Sequence, residues 1–130
     1  MTMTKSEERK ELSALLDREF SFLEILRQLR ICAASVPDRS PSLEHVAGEI
    51  QACHLQIFKR FFFPIDQTLN AMVNDPVKTK EEMSTAVAED QGKVLRFIEA
   101  LEHELEHRAE DEVRDLKERL QHVRQMLGPG

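Results

Sequence analysis

Five histidines in a chain of 130 residues are the side chains with most to offer chemically. Imidazole and carboxylate groups set at helical spacing hold iron, zinc or manganese in helical bundles. His45 and Glu49 stand four apart, which puts both on one face of a helix, as a chelate or as a solvated pair. His54 shares a stripe with Phe58 and Phe61 and so points to the edge of a core. It is either a histidine bonded to a carbonyl or carboxylate, or a metal ligand. The run His103-Glu104-Leu105-Glu106-His107 satisfies HExxH, the pattern in which two histidines on one turn bind zinc and the glutamate acts as base. That chemistry needs a third ligand. Only 23 residues follow His107, with no Gly-x-x-His continuation. Both histidines lie opposite Leu101 and Leu105 in an acidic run, so the pattern reads as a solvated helix face open to adventitious metal capture. His122 lies on the far side of its helix from Leu120, toward solvent.

The elements that carry these residues are helices. The apolar residues recur at three and four throughout, with no alternation worth reading as a strand. Four glycines and five prolines are too few for the turns of a many-stranded sandwich or barrel. Breaks fall at Pro37-Asp38-Arg39-Ser40-Pro41, at Asn74-Asp75-Pro76 and at Gly128-Pro129-Gly130. The first helix opens near Thr4 with Glu7 three residues on, runs to about Val36, and has the stripe Leu12, Leu15, Leu16, Leu23, Leu26, Leu29. The second starts at Ser40-Pro41 or Ser42, sound N-cap and N1 chemistry. Its stripe is Val46, Ile50, Cys53, Ile57, Phe61, and Pro64 is expected to kink it or end it, with a kink favoured because Ile65, Leu69 and Met72 continue the apolar face. The third opens at Thr79 with Glu82 and carries Met83, Val87, Val94, Ile98, Leu101, Leu105. A last stripe runs Val113, Leu116, Leu120, Val123, Leu127. The compact arrangement turns near Arg108–Asp111. The expected fold is all-α, an up-down bundle of four helices, with three helices and a long C-terminal helix as the alternative. It forms a single domain over residues 1–130, with 1–8 flexible and 128–130 a tail.

Composition narrows the function classes. A charged fraction of 32% with 41% hydrophobic residues suits a folded domain and not a disordered chain. The net charge of −6 argues against a nucleic-acid binder. No run approaches the roughly 18 apolar residues of a membrane span. Residues 1–10 lack the apolar stretch of a secretory signal, so a cytoplasmic location and reduced Cys32 and Cys53 thiols are expected. No Gly-rich phosphate loop and no Ser or Cys nucleophile motif is present.

Three segments, in order and spacing, resemble the hemerythrin-like (HHE) cation-binding family. Leu15-Leu16-Asp17-Arg18-Glu19-Phe20 is similar to the family's Leu-Leu-x-x-Glu-His, with Phe20 at the place of an iron-binding histidine. His54-Leu55-Gln56-Ile57-Phe58-Lys59, followed by Phe63-Pro64, resembles His-x-x-x-Glu-Glu with its later Phe-Pro, and Phe58 and Lys59 stand for the two glutamates. Ala88-Glu89-Asp90-Gln91-Gly92-Lys93 resembles Glu-His-Asp-Gln-Gly-Arg. Spelling puts Glu89 at the ligand position there, whereas periodicity favours Asp90, nearer the Val87–Val94 stripe. The segment Leu120-Gln121-His122-Val123 is faintly similar to the family's last Leu-x-x-His-Ile, with Met126 where a glutamate is expected.

The resemblance implies a metal-bundle fold in which Phe20 and Phe58 fill the centre with hydrocarbon and the di-iron site is largely lost. The expected function is that of a non-catalytic binding, regulatory or self-associating module without a cofactor. Leu- and Phe-rich faces and an extendable C-terminal half point to a homodimer or a protein partner, with neither nucleic acid nor membrane. The alternative is a sensor or storage protein with one iron or zinc ion at an altered site drawn from His54, Asp90, Glu89, His45, Glu49 and His122.

Overall fold

The structure, a computed structural model, describes residues 5–128. It is all-α. Helix α1 is Lys5–Ser35, α2 Pro41–Ile57, α3 Ile65–Asn74, α4 Pro76–Glu106 and α5 Glu110–Leu127, and a π-helical turn, Phe58–Phe62, joins α2 to α3. Thr4, expected to cap the first helix, lies outside the described residues.

Among the described residues five α-helices stand where four were expected, because Pro64 breaks the second span. Proline has no N–H, so the helical bond back to the Arg60 carbonyl is lost. The chain widens instead: the Phe63 N–H donates to the Phe58 carbonyl, five residues back, at 2.8 Å. π turns of this kind commonly mark such irregularities inside helices. The buried Thr68 hydroxyl then donates to the Phe61 carbonyl at 2.8 Å, satisfying an acceptor that the break left open.

The other boundaries follow local chemistry. Ser40 caps α2 by accepting the Leu43 N–H at 3.1 Å, with Pro41 in the first turn, as expected. Thr79 does not open the third long helix. That helix starts three residues earlier, at Pro76, with Asp75 at the N-cap. Proline at the first position needs no N–H partner, and the Thr79 hydroxyl is thereby free to donate to the Ala71 carbonyl at 3.0 Å, binding α3 to α4. The turn between α4 and α5 has no breaker residue. Arg108 makes it: its guanidinium donates to the Pro37 and Asp38 carbonyls of the α1–α2 loop and pairs with Glu104 at 3.1 Å.

Long-range side-chain pairs give the helix directions. Glu11 pairs with Lys80, Arg18 with Gln91, and Arg108 with the Pro37–Asp38 carbonyls. The positions on α1 and α4 rise together, so these two 31-residue helices run parallel, each roughly 46 Å long. Ser40 with Glu104 and Arg60 with Asp90 run in opposite senses, so α2 is antiparallel to α4. Arg124 with Glu102, together with the short turn, makes α5 antiparallel to α4 as well. The most extensive contact is between α1 and α4, flanked by α2 and α5, which share at most a marginal contact among the described residues.

The core follows the sequence stripes. Leu26 and Leu29 of α1, Ile50 and Ile57 of α2, Val94, Ile98 and Leu101 of α4, and Val113, Leu120 and Val123 of α5 form one buried cluster. Leu12, Phe61, Met83 and Ala86 form a smaller one. The two phenylalanines assigned to the centre are not there. Phe20 is 63% exposed and Phe58 39%. One residue is about 100° of helix, and Glu19 holds the inward position beside Phe20. Phe20 therefore lies outside, edge-on to Phe62 at 5.8 Å. Phe58 is turned outward at the start of the π turn, next to Phe63 at 6.2 Å. Phe22, fully buried, is the aromatic of the α1 core.

This reversal is measurable by chemical denaturation. Phe22→Ala is expected to cost about 3–5 kcal/mol, the range for a buried aromatic, and Phe20→Ala within about 1 kcal/mol, the range for a surface site with one aromatic partner. Equal losses at the two positions would contradict the placement.

Candidate functional site

Two acidic residues interrupt the apolar stripes of the central helix pair. On α1 the series Leu12, Leu16, Glu19, Leu23, Leu26 steps by four and three; on α4 the series Met83, Val87, Asp90, Val94 does the same. Both acids are therefore carried to the inside. Glu19 has no exposed surface and Asp90 only 1%. Their carboxyl groups face each other in the core. No donor from the rest of the protein reaches either Glu19 oxygen or Asp90 Oδ1 among the described residues. A bond between two carboxyl groups requires a proton on one of them, because two carboxylates are acceptors only.

Glu19 holds that proton. Burial pushes its carboxyl from 4.5 up to about 9, the hydrogen bond to Asp90 and the Asp90 charge push the same way, and Arg60 opposes them. Arg60, on the π turn, lies at the rim: its Nη1 reaches Asp90 Oδ2 at 3.3 Å and its guanidinium stands 5.6 Å from the Phe61 ring. Arg60 also lines two clefts, about 400 and about 260 Å3, neither of which is lined by Glu19 or Asp90. The buried Cys53 stands nearby, its thiol pushed up to about 11 by burial and by the Asp90 charge, which leaves almost no thiolate near neutral pH. Cys32 is also a buried free thiol.

On the other side of the pair Arg18 is the anchor. Its Nη2 donates to Gln91 Oε1 at 3.1 Å and to the Leu127 carbonyl at 2.5 Å, with the guanidinium 5.0 Å from the Phe22 ring. It thus joins α1, α4 and the last turn of α5 at the level of the acid pair.

The expected site residues are not brought together. Of the two registers left open, periodicity identified the inward residue: Asp90 is buried and Glu89 is exposed. His54 is half-buried, and burial followed by the Arg30 charge lowers its pKa. A cation bound there would meet the same guanidinium. His45 and Glu49 form an exposed pair on α2, Nε2 to Oε1 at 2.5 Å. His122 is exposed on α5. Among the described residues, no three His, Cys, Asp or Glu side chains form a group able to hold a metal ion. Glu19 and Arg60 were not singled out as site residues. The signal for Glu19 was present as an acid on the 3.5-residue period inside a leucine stripe; for Arg60 there was none, since the π turn sets its direction.

No family model matches the chain. No curated protein or solved structure matches it at a meaningful level either. Among the described residues no helix is long and apolar enough to cross a membrane.

The proton on Glu19 is testable through stability. Above about pH 4.5 the unfolded chain loses this proton while the folded chain keeps it up to about 9. Folding then takes up a proton, and the stability contribution of the group falls as pH rises through that window, by up to about 1.4 kcal/mol per pH unit. Glu19→Gln keeps a donor to Asp90 and removes the titration. In urea denaturation from about pH 5 to about pH 8, the stability of Glu19→Gln relative to the unsubstituted protein is expected to rise steadily. A pH-independent difference would show that Glu19 is ionised in the fold.

Proposed function

We propose that the chain is a non-catalytic helical module that works by self-association, an up-down bundle of hemerythrin-like arrangement with its second leg broken at Pro64 and its di-iron centre lost. Two features of the centre support the non-catalytic part. The acid pair is enclosed, with Arg60 between it and the adjoining clefts. The nearby Cys53 thiol is held protonated. A general acid needs contact with a substrate, and neither Glu19 nor Asp90 lines the clefts beside Arg60.

The observation that carries the reading is a row of exposed apolar side chains at and after the π turn. Phe63 is 76% exposed and Val73 64%. Ile65, Leu69 and Val73 fall four apart on one face of α3, and all are exposed. Phe58 and Phe63 touch each other, as do Phe20 and Phe62, so the aromatic part is contiguous in two pairs beside the start of α3. Scattered exposed apolar residues are ordinary, but a grouped face of this kind marks an interaction surface. A second copy of the chain is the occupant we assign, since two equivalent apolar faces meet across a two-fold axis without further matching. The alternative of a projecting C-terminal helix does not contribute: α5 is folded back on α1 and α4.

Light scattering at tens of micromolar is expected to give the mass of two chains. Phe63→Ser combined with Leu69→Ser is expected to give the mass of one, with unchanged helical content because both side chains are exposed. A single-chain mass for the unsubstituted protein, or an unchanged dimer in the double variant, would refute the assignment.

A further inference from the structure

The end of α4 carries a second chemical feature, independent of the apolar face. His103 and His107 are exposed, four residues apart in the last turn, and their Nε2 atoms lie 3.4 Å apart. The rings stand nearly perpendicular, at 88°, with centroids 4.8 Å apart. We propose that these two histidines form a bidentate binding site for a zinc-class divalent ion.

The distance is the first argument. Two Zn–N bonds of about 2.0–2.1 Å, opened at a tetrahedral angle, hold their nitrogens roughly 3.3–3.4 Å apart. An ion can therefore sit between the two Nε2 atoms with the side chains as they stand. The second argument is the donor type: an imidazole binds a metal through a free nitrogen lone pair. Two imidazoles select zinc, nickel or copper over the hard, oxygen-seeking magnesium and calcium ions.

The same residues exclude the hydrolytic reading of HExxH. Glu104, in the position of the base, is engaged elsewhere: it pairs with Arg108 at 3.1 Å and accepts from the Ser40 hydroxyl at 3.0 Å. A strongly paired glutamate serving to bind the α4–α5 turn to the α1–α2 loop does not take a proton from a metal-bound water. With no third His, Cys, Asp or Glu grouped with the pair among the described residues, water fills the remaining positions. The ion would fix the last turn of α4, whose C-cap is His107.

Calorimetric titration of the intact chain with zinc chloride at neutral pH tests the assignment, alongside His103→Ala, His107→Ala and His45→Ala. All three residues are exposed, so folding is retained and is checked by circular dichroism. Saturable zinc binding is expected in the unsubstituted chain and in His45→Ala. A weakening of roughly tenfold or more is expected in both His103→Ala and His107→Ala, where the chelate becomes a single ligand. No saturable binding by the unsubstituted chain, or undiminished binding in either α4 variant, would overturn the proposal. Neither result bears on the dimer assigned above, which rests on different residues.

Discussion

A single proton shared between two buried acids is the constraint on which the rest of this fold depends. Two ionised carboxylates facing each other in the centre of a helix pair would repel strongly, and Glu19 would lack any donor. A proton kept on Glu19, with Arg60 reaching Asp90 from the rim, relieves that repulsion. That unit is directional in a way that leucines are not. It permits one alignment of α1 against α4, with Glu19 opposite Asp90, while neighbouring positions are filled with interchangeable hydrocarbon. Buried polar pairs that fix a register at some cost in stability are known from coiled coils. The 4-3 spacing around both acids makes that comparison apt here.

Three arginines complete the fixing of the assembly, and each reaches beyond its own element. Arg18 ties α1 to Gln91 and to the end of α5, Arg60 ties the π turn to α4, and Arg108 ties the α4–α5 turn to the α1–α2 loop. Two of them donate to backbone carbonyls at or next to chain turns, where helical bonding leaves acceptors open. Charge is thus used at the joints, and hydrocarbon along the shafts.

Helix type and most helix positions were readable from the sequence because the stripes of Leu26, Ile50, Val94 and Leu120 repeat every three or four residues. The α4–α5 turn was also readable, from the thinning of apolar residues before Val113. The split at Pro64 and the early start at Pro76 were not, since they depend on where displaced carbonyls find new donors, namely Thr68 and Thr79. The site was legible only in part. Asp90 followed from its period, but Phe20 was placed inside on the strength of a motif when the helical angle gave that place to Glu19. Weight given to spelling over period accounts for that error.

The parallel course of α1 and α4 has a consequence for how the chain folds. Parallel neighbours cannot be joined by a tight turn, so Arg18 and Gln91 meet across 73 residues of chain, and Arg18 and Leu127 across 109. The α4–α5 hairpin closes across a turn of three residues, at far smaller entropic cost. Local hairpins of this kind form on much shorter timescales than distant pairings. The proton taken up by Glu19 belongs to the long-range closure, because desolvation of that carboxyl requires α4 to be in place. Acidity of the medium therefore acts on how firmly the two halves of the molecule hold together, and much less on the making of the halves themselves.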